Sequence, residues 1–399
     1  MSNATRIAMK KMATMEANPN KKILFIVSHY ALGGAEKYVE HLAPNLPHHL
    51  ECHVFAVKNS VESAVGNKMI SRLTAGGVKV HKALARSWKS IGWLTSALRL
   101  KKIFDEVQPD IVHLNTEVPE FCFTLCTIMF PSTRRVRIVR TIHNTNLWPK
   151  WKLVGYLCEF CLRKAKVVCV SETVKKAFVR WRIKLSLLPP DDCAVIYNPI
   201  DVREGSTDIS SNCATGRKVR LLFAGRLEYQ KGFDLVPEIL NATQLDSSKL
   251  DLTIIGSGSG VEIARSLVTT PPKGWDVHLE EPTADLVNRL CEFDVLLFPS
   301  RFEGFGRLAA EALMCGVPVV AFDLVVLEEV FPPDYPWLAA PMDVADFSQK
   351  LIHLMSSLDE AQPTVKKAKD LLLEKTSPER VVRQHWNLYN KEIAAFERP

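Results

Sequence analysis

Short runs of β-branched and apolar residues alternate with helix-length segments, and this alternation constrains the fold more than any other feature. The first half contains KILFIVS from Lys22, then ECHVFAV, PDIVHLN, RIVRTIH, KVVCVS and CAVIYNPID. Strands joined by crossover helices form doubly wound parallel sheets. The alternation begins again at Val219 with VRLLFAG, LDLTIIGSGSG, WDVHL, FDVLLFPS and VPVVAFD. The sequence therefore predicts two α/β domains of the same kind.

The predicted domain boundaries follow changes in composition. Residues 203–217 are polar, rich in Ser and Thr and without periodicity, which is typical of a linker. The last segment begins with Ser377 and Pro378, a helix-start pattern, and its apolar residues recur at helical spacing. We expect this terminal helix to dock on one of the domains. The predicted order is a flexible leader (1–21), an N-terminal domain (22–202), a linker (203–217), a C-terminal domain (218–376) and a terminal helix (377–399).

Composition excludes several classes of protein. With 47% hydrophobic and 24% charged residues, the 399-residue chain is neither disordered nor a small binding module. Its longest apolar stretch, from Phe121 to Phe130, is too short to span a membrane, which needs about 20 residues. The N-terminus lacks the apolar core of a secretory signal, so we expect a cytoplasmic protein with reduced thiols among its ten cysteines. Cys158 and Cys161 form a C-x-x-C without a second pair, so we interpret them as buried helix residues.

The charge is distributed unevenly along the chain. Residues 1–200 contain 30 Lys and Arg against 14 Asp and Glu, whereas residues 201–399 contain 21 against 30. A basic first half indicates an anionic partner, such as a membrane surface or a phosphorylated substrate. Two solvated surfaces whose composition differs through neutral sequence drift, with no binding role, would also explain these counts.

Loops at the carboxyl ends of the predicted strands contain the candidate site residues. Gly33 and Gly34 precede a helix predicted to begin near Ala35, where close backbone approach and a helix N-terminus favour an anion. In FAGRLEYQKGFD, Arg226 and Lys231 follow a strand and flank a predicted helix start. Two cations directed at one pocket suit a diphosphate, although surface salt bridges would also explain them.

The loop FPSRFEGFGRLAAEALMCG contains two carboxylates. Glu303 lies in its glycine-bearing part, and Glu311 lies about one turn into a short helix predicted to begin near Arg307. Both could accept hydrogen bonds from sugar hydroxyls.

The segment EGFGRLAAE resembles the E-x7-E motif of retaining glycosyltransferases of family 4. GRLEYQKGFD is similar to the G-R-x-x-x-x-K-G element of that family, and GGAEK, TIHN, CVSE and NPID follow the family's order. The resemblance extends from Lys22 to about Ile393. It implies the GT-B fold, in which two Rossmann-like domains face each other across a cleft and a C-terminal helix docks back.

The resemblance also implies roles for individual residues. Arg226 and Lys231 would neutralise the leaving diphosphate of a nucleotide-sugar donor. Glu311 would hold the ribose diol, and Glu303 would bind hydroxyls of the transferred sugar. Further donor contacts would come from the backbone of Gly33, Gly34, Gly304, Phe305 and Gly306 and from His143, which follows the apolar run IVRTI. Without the family, a histidine in that position is more often structural.

The implied reaction retains the anomeric configuration and needs no protein nucleophile. The protein stabilises the leaving charge and positions both substrates. No D-x-D pair is present, so we expect no bound metal. We expect no other cofactor, and the favoured donor is a UDP-sugar. The loops AFDLVVLEEV and HLEEPT lack glycines that the family often has there, and an inactive relative that only binds sugar nucleotides is one alternative. A nucleotide-sugar epimerase or phosphorylase of the same fold is another.

The acceptor is less well specified. We expect a glycan or a lipid-linked acceptor, in surface polysaccharide or glycolipid synthesis, and no nucleic acid, because no binding motif accompanies the charge. Basic residues interleaved with tryptophans suit peripheral docking on an anionic bilayer; glycan stacking and core packing of the tryptophans are alternatives. The basic residues are Arg134, Arg135, Arg137, Arg140, Lys150, Lys152, Arg163, Lys164, Lys166, Lys175, Lys176, Arg180, Arg182 and Lys184, and the tryptophans are Trp148, Trp151 and Trp181.

GSGSG, from Gly256 to Gly260, resembles a dinucleotide-binding loop. It has Val261 where the oxidoreductase fingerprint requires glycine, which argues against a nicotinamide enzyme.

Overall fold

A computed structural model gives the structure of the protein. It describes residues 21–31, 33–58, 64–82, 91–149, 151–187, 193–201, 218–243 and 250–396. The chain divides into two compact units: unit 1 comprises residues 1–199 and 378–399, and unit 2 comprises residues 200–377. The predicted linker and all of the predicted leader except Lys21 lie outside the described residues. Lys21 itself belongs to the first strand.

Unit 1 contains a seven-stranded parallel sheet in the order β3-β2-β1-β4-β5-β6-β7. The strands are β1 (Lys21–Val27), β2 (Leu50–Ala56), β3 (Lys79–His81), β4 (Ile111–Asn115), β5 (Arg137–Ile142), β6 (Lys166–Cys169) and β7 (Cys193–Val195). The helices are α1 (Gly34–Leu42), α2 (Ala64–Ala75), α3 (Ile91–Val107), α4 (Glu117–Met129), α5 (Lys152–Cys161), α6 (Glu172–Lys184) and the terminal helix α13 (Pro378–Phe396).

Unit 2 contains a six-stranded parallel sheet in the order β10-β9-β8-β11-β12-β13. The strands are β8 (Val219–Arg226), β9 (Leu250–Ser257), β10 (Trp275–Glu280), β11 (Val295–Phe298), β12 (Val319–Phe322) and β13 (Leu338–Ala339). The helices are α7 (Val236–Ala242), α8 (Val261–Thr269), α9 (Leu286–Arg289), α10 (Arg307–Met314), α11 (Val344–Ser356) and α12 (Gln362–Thr376). The two doubly wound sheets confirm the predicted fold class.

Strand β1 shows why these runs form a central strand. Its register pairs Phe25 with Val54 on one side and with His113 on the other. Successive residues of β1 enter different cores: Phe25 packs in one apolar cluster, and Leu24 packs in the cluster on the opposite face. Since successive side chains of a strand point to opposite faces, a continuous apolar run covers both faces of a parallel sheet.

The terminal helix α13 packs on unit 1. Its apolar face joins the cluster that contains Phe25 and Tyr38. The residues predicted for that face are all buried: Val381, Val382, Trp386, Tyr389 and Ile393. This helix therefore completes the core of unit 1 rather than that of unit 2, which precedes it in the chain.

The described cysteines are free thiols, and both Cys158 and Cys161 lie on α5 as predicted. Cys158 is buried, but the prediction of a buried position was wrong for Cys161, which is partly exposed at the last position of the helix. Within the described part of the chain, no helix combines the length and the apolar character needed to cross a membrane.

Candidate functional site

The order of strands in unit 2 places two loops side by side. The winding reverses between β8 and β11, so the segments after these neighbouring strands leave the same edge of the sheet. Ligands of open α/β sheets bind at such switch points. The β8 turn (residues 227–232) contains Lys231 and the β11 loop (residues 299–306) contains Glu303, whereas Arg226 ends β8 and Glu311 lies on the helix after the loop.

Glycines allow the β8 turn to lie against the β11 loop. Gly232 has φ +67°, and a Cβ atom there would lie 1.9 Å from the carbonyl oxygen of Pro299. The segment from Tyr229 to Lys231 is one 3-10 turn, and α7 begins only at Val236. Arg226 and Lys231 thus flank the start of a 3-10 turn, and the α-helix begins later because the left-handed Gly232 interrupts the helical backbone.

A lysine and a carboxylate meet between the two segments. Lys231 Nζ donates to Glu303 Oε1 at 2.5 Å, across 72 positions of sequence. The Lys231 side chain is 21% exposed and that of Glu303 is 10% exposed. The pair is thus shielded from bulk water without being sealed from it.

Gln230 connects Arg226 to the same loop. The Arg226 guanidinium donates to Gln230 Oε1 at 2.6 Å, and Gln230 Nε2 donates to the carbonyl of Phe302 at 3.2 Å. Arg226 is exposed at the end of β8. Together these contacts hold two cations, Arg226 and Lys231, at one switch point, and their role in binding a diphosphate stays a prediction.

Arg301 is a residue of this site that sequence reasoning missed. Its guanidinium donates to both carboxylate oxygens of Asp234, at 2.6 and 2.7 Å, and to the carbonyl of Tyr229 at 2.7 Å. It also lies 3.8 Å from the centre of the Tyr229 ring. Arg301 thereby fastens the β11 loop to the β8 turn. Only its place in the quoted segment FPSRFEGFG could have indicated this role.

The second carboxylate lies on the short helix that follows the β11 loop. Gly306, with φ +86°, precedes α10, which begins at Arg307 as predicted. Arg307 Nε donates to Glu311 Oε1 at 2.8 Å, and Glu311 is buried. Gly304, Phe305 and Gly306 are buried directly before the helix. Helix N-termini favour anions, so the end of α10 adds to the positive potential of this edge.

The GSGSG segment has a structural explanation. A Cβ atom on Gly256 would lie 2.1 Å from the carbonyl oxygen of Gly225, and one on Gly260 would lie 3.0 Å from that of Leu227. Glu228 accepts hydrogen bonds from the backbone and side chain of Ser259 at 2.9 and 2.8 Å. The glycines therefore let this loop pack against the β8 turn.

The remaining predicted site residues lie in unit 1. Gly33 precedes α1, which begins at Gly34 rather than Ala35, and a Cβ atom on Gly33 would lie 2.0 Å from Glu36 Oε2. His143 follows β5, as predicted, and its ring contacts Tyr38 edge-on at 5.1 Å between centroids. Because Tyr38 is on α1, the glycine turn and His143 belong to one region of unit 1. The contacts that these residues make with a donor stay predictions.

Next to His143 lies a buried network of neutral groups. Tyr38 Oη is hydrogen-bonded to Nε2 of His385 on α13. His113 contacts Tyr389 Oη through Nδ1 and Thr141 Oγ1 through Nε2, each at 2.6 Å. Burial lowers the pKa of His385 to about 4 and lowers the pKa of His113 as well. The network thus holds α13 to the sheet with neutral histidines.

Two of the basic residues expected at the surface of unit 1 are buried instead. Arg140 donates to both oxygens of Glu120, at 2.9 and 2.8 Å, and to Glu159. Arg182 donates to the other oxygen of Glu159 at 2.9 Å. The surface prediction was wrong for Arg140 and Arg182, because two buried carboxylates neutralise them. We refer to these four residues as the buried charge cluster.

The three tryptophans of the basic region differ in exposure. Trp148 is 5% exposed and packs against Gly155, whereas Trp151 is 47% exposed. Trp181 is partly buried against the core. Core packing therefore explains Trp148 but not Trp151.

Within the described ranges, no group of three or more His, Cys, Asp or Glu side chains is placed to hold a metal ion. The metal independence of the site stays a prediction.

Known protein families match both halves of the chain. Residues 32–204 match the family described as Glycosyltransferase Family 4, and residues 218–357 match Glycosyl transferases group 1. The chain is similar to the phosphatidylinositol N-acetylglucosaminyltransferase GPI3 subunit of Saccharomyces cerevisiae, with 26% identity over 82% of this chain and 73% of the relative. It is also similar to the N-acetyl-alpha-D-glucosaminyl L-malate synthase of Bacillus anthracis, with 21% identity over 74% of this chain and 78% of the relative.

Among solved structures, Anabaena HepE in complex with UDP and glucose superposes with a TM-score of 0.74. The two sequences are 17% identical, and the match covers 93% of this chain and all of HepE. This likeness identifies the fold.

Proposed function

The chain belongs to the family 4 glycosyltransferases of the GT-B fold, and from this premise we propose that it transfers a sugar from a UDP-sugar with retention of anomeric configuration. The observation that supports the donor site is the contact between Lys231 and Glu303 across two neighbouring strand ends. A cation beside a carboxylate offers one group for phosphate and one for sugar hydroxyls.

In the proposed donor site, different side chains bind the diphosphate, the sugar and the ribose of the nucleotide sugar. Lys231 and Arg226 take the diphosphate, because leaving-group charge develops there during transfer. Glu303 takes hydroxyls of the sugar, and its contact with Lys231 places sugar and phosphate next to each other. Glu311 takes the ribose, oriented by its hydrogen bond from Arg307.

The donor is proposed to be a UDP-sugar because HepE was solved with UDP and glucose. We propose that Arg226, Lys231 and the N-terminus of α10 supply the positive charge without a divalent metal. Both cations are positioned by hydrogen bonds before any ligand arrives, and the proposed donor exchanges the contact between Lys231 and Glu303 for its own groups.

The proposed acceptor is a glycan or a lipid-linked sugar in polysaccharide or glycolipid synthesis. One named relative supports the lipid end of this range, since it is a subunit of a phosphatidylinositol N-acetylglucosaminyltransferase. The basic residues that remain exposed in unit 1, such as Arg163 and Lys164, favour an acceptor with anionic groups.

The test is a transfer assay with a panel of UDP-sugars in EDTA, with and without a membrane-derived acceptor fraction. The proposal predicts acceptor-dependent UDP release and, by NMR, a product with the anomeric configuration of the donor. An inverted product would contradict retention. Sugar-nucleotide turnover without acceptor would indicate an epimerase or a hydrolase, and binding without turnover would indicate a non-catalytic subunit.

A further inference from the structure

Helix α5 exposes large apolar side chains. Leu153 is 87% exposed, Phe160 is 52% exposed, and Trp151, directly before the helix, is 47% exposed. Tyr156 and Leu157 lie on the same face and are also exposed. Positions 153, 156, 157 and 160 recur at helical spacing, so these side chains form one continuous stripe.

The opposite face of α5 is already used for packing. Cys158 is fully buried in the core of unit 1, and Gly155 lies against Trp148. A surface helix of a soluble domain normally carries polar residues outside when its inner face is apolar. The exposed stripe of α5 therefore adds nothing to the core and needs another explanation.

Neighbouring helices extend this apolar surface. On α3, Leu94 and Leu98 are 45% and 46% exposed. Trp93 of α3 lies 6.1 Å from Trp151 between ring centroids and 4.9 Å from Phe121 of α4. We refer to the exposed apolar residues as the outer patch, which consists of Leu94, Leu98, Trp151, Leu153, Tyr156, Leu157 and Phe160.

The exposed charged residues on α5 and at its two ends carry one sign. Lys152, Arg163 and Lys164 are exposed at its two ends. The Arg163 guanidinium lies 4.9 Å from the centre of the Phe160 ring, so one cation is held directly over an outer-patch side chain.

The acidic residue of α5 does not offset these cations at the surface. Glu159 is fully buried, and its carboxylate is paired with Arg140 and Arg182. The buried charge cluster thus removes the negative charge of the helix from its outer face. What remains outside is apolar, aromatic and cationic.

We propose that the outer patch docks the protein on an anionic lipid bilayer. Leu153 and Phe160 enter the interfacial region, the aromatic rings of Trp151 and Tyr156 lie at headgroup level, and Lys152, Arg163 and Lys164 contact lipid phosphates. A second copy of the chain fits this surface less well, because a symmetric contact would bring cations of like charge together. The inference goes beyond the proposed function and does not depend on it.

The test is flotation of the full chain with vesicles of phosphatidylcholine alone or mixed with phosphatidylglycerol. The proposal predicts binding to the mixed vesicles that is at least tenfold stronger than to the neutral ones and that falls as salt is raised. Equal binding to both vesicles, or no binding to either, would overturn it.

Variants separate the contribution of the apolar outer patch from that of the lysines beside it. Leu153→Glu combined with Phe160→Glu should lower binding to mixed vesicles more than tenfold, and so should Lys152→Glu combined with Lys164→Glu. Val268→Glu is the matched apolar control, because Val268 is 41% exposed in unit 2. Lys366→Glu, at an exposed lysine of unit 2, is the charge control. Outer-patch variants that bind as well as these controls would contradict the proposal.

Three further measurements separate docking from folding, donor binding and self-association. Thermal unfolding and UDP binding of the Leu153/Phe160 and Lys152/Lys164 variants should equal those of the unchanged chain, since these side chains are exposed and lie in unit 1. Loss of vesicle binding with UDP binding intact therefore reports on docking alone. Analytical ultracentrifugation that shows a dimer abolished by the Leu153 and Phe160 substitutions would assign the patch to a second copy instead.

Discussion

Paired charges occur in both units, but they differ in how far water can reach them. In unit 1, Arg140 is 1% exposed and its partner Glu159 is fully buried. In unit 2, Lys231 is 21% exposed and its partner Glu303 is 10% exposed at the ends of two strands. A closed cluster can serve only the fold, whereas a partly open pair at a switch point can exchange its internal contact for a ligand. The two pairs therefore differ in exposure rather than in the kind of charges that they contain.

The comparison is tested most severely by Arg140→Ala. Removing one partner leaves Glu120 and Glu159 buried with less compensation, and breaking such pairs costs about 3–5 kcal/mol. We expect a loss of that size in the free energy of unfolding of unit 1, measured by urea denaturation with hydrogen exchange to locate the change. Arg135→Ala, at an exposed arginine before β5, is the control. Equal stability of the two variants would show that the cluster does not hold the fold.

In contrast to Arg140→Ala, Lys231→Ala should lower catalysis and leave stability nearly unchanged. We expect kcat/KM for transfer to fall at least 100-fold, equivalent to about 2.7 kcal/mol of transition-state stabilisation, because a cation at the leaving diphosphate is lost. The melting temperature should change little. Lys218→Ala is the control, since Lys218 pairs with Asp276 on the surface of the same unit. Unchanged transfer by Lys231→Ala would place the diphosphate elsewhere.

Low pH should also distinguish the units. The folded-state pKa of His385 is about 4, below its ordinary value of 6.5, because the side chain is buried. The unfolded chain therefore takes up a proton first as pH falls, so the stability that neutral His385 provides is complete above pH 6.5 and is lost toward pH 4. At pH 5 the loss is about 2 kcal/mol.

The effect should be confined to unit 1, because His278 and His353 of unit 2 are exposed. Calorimetric unfolding between pH 7 and pH 5 measures it, and His385→Gln should flatten the pH dependence. A parallel decline of both units, or an unchanged slope in the variant, would argue against this explanation.

The two carboxylates of unit 2 should separate binding from turnover. Glu311→Ala is expected to weaken donor binding about tenfold, because a buried hydrogen-bonding carboxylate is lost. Glu303→Ala should lower kcat more than donor affinity, since it contacts the group that reacts. Donor titration and steady-state kinetics on both variants, with Glu311→Gln as the isosteric control, give the comparison. Identical effects of the two substitutions would remove the assignment.

The sequence was sufficient to predict the sheets, because continuous apolar runs between helical segments have few alternatives to doubly wound packing. It also located Lys231 and Glu303, since each follows a strand end. It could not separate Arg140 from the surface arginines near it. Whether a charge is buried depends on partners such as Glu120 and Glu159, which come from other elements of the fold.

Arg301 and Gln230 were missed for a related reason. Each acts by joining two loops that are about 70 residues apart, and neither has a distinctive local pattern. The sequence also did not show that the α-helix after Lys231 is delayed to Val236, because Gly232 packs against Pro299, a contact between segments distant in sequence. Local chemistry thus singled out residues at the strand ends, and tertiary contacts decided how they are held.

The central claim is that unit 2 binds a nucleoside diphosphate through fixed side-chain cations. Isothermal titration calorimetry with UDP, GDP and ADP in EDTA tests it most directly, with Lys231→Ala and Lys218→Ala titrated in parallel. We expect saturable binding of one of these nucleotides without metal. Lys231→Ala should weaken its affinity at least tenfold, and Lys218→Ala should leave the affinity unchanged. No binding to the folded protein, or binding only after magnesium or manganese is added, would contradict it.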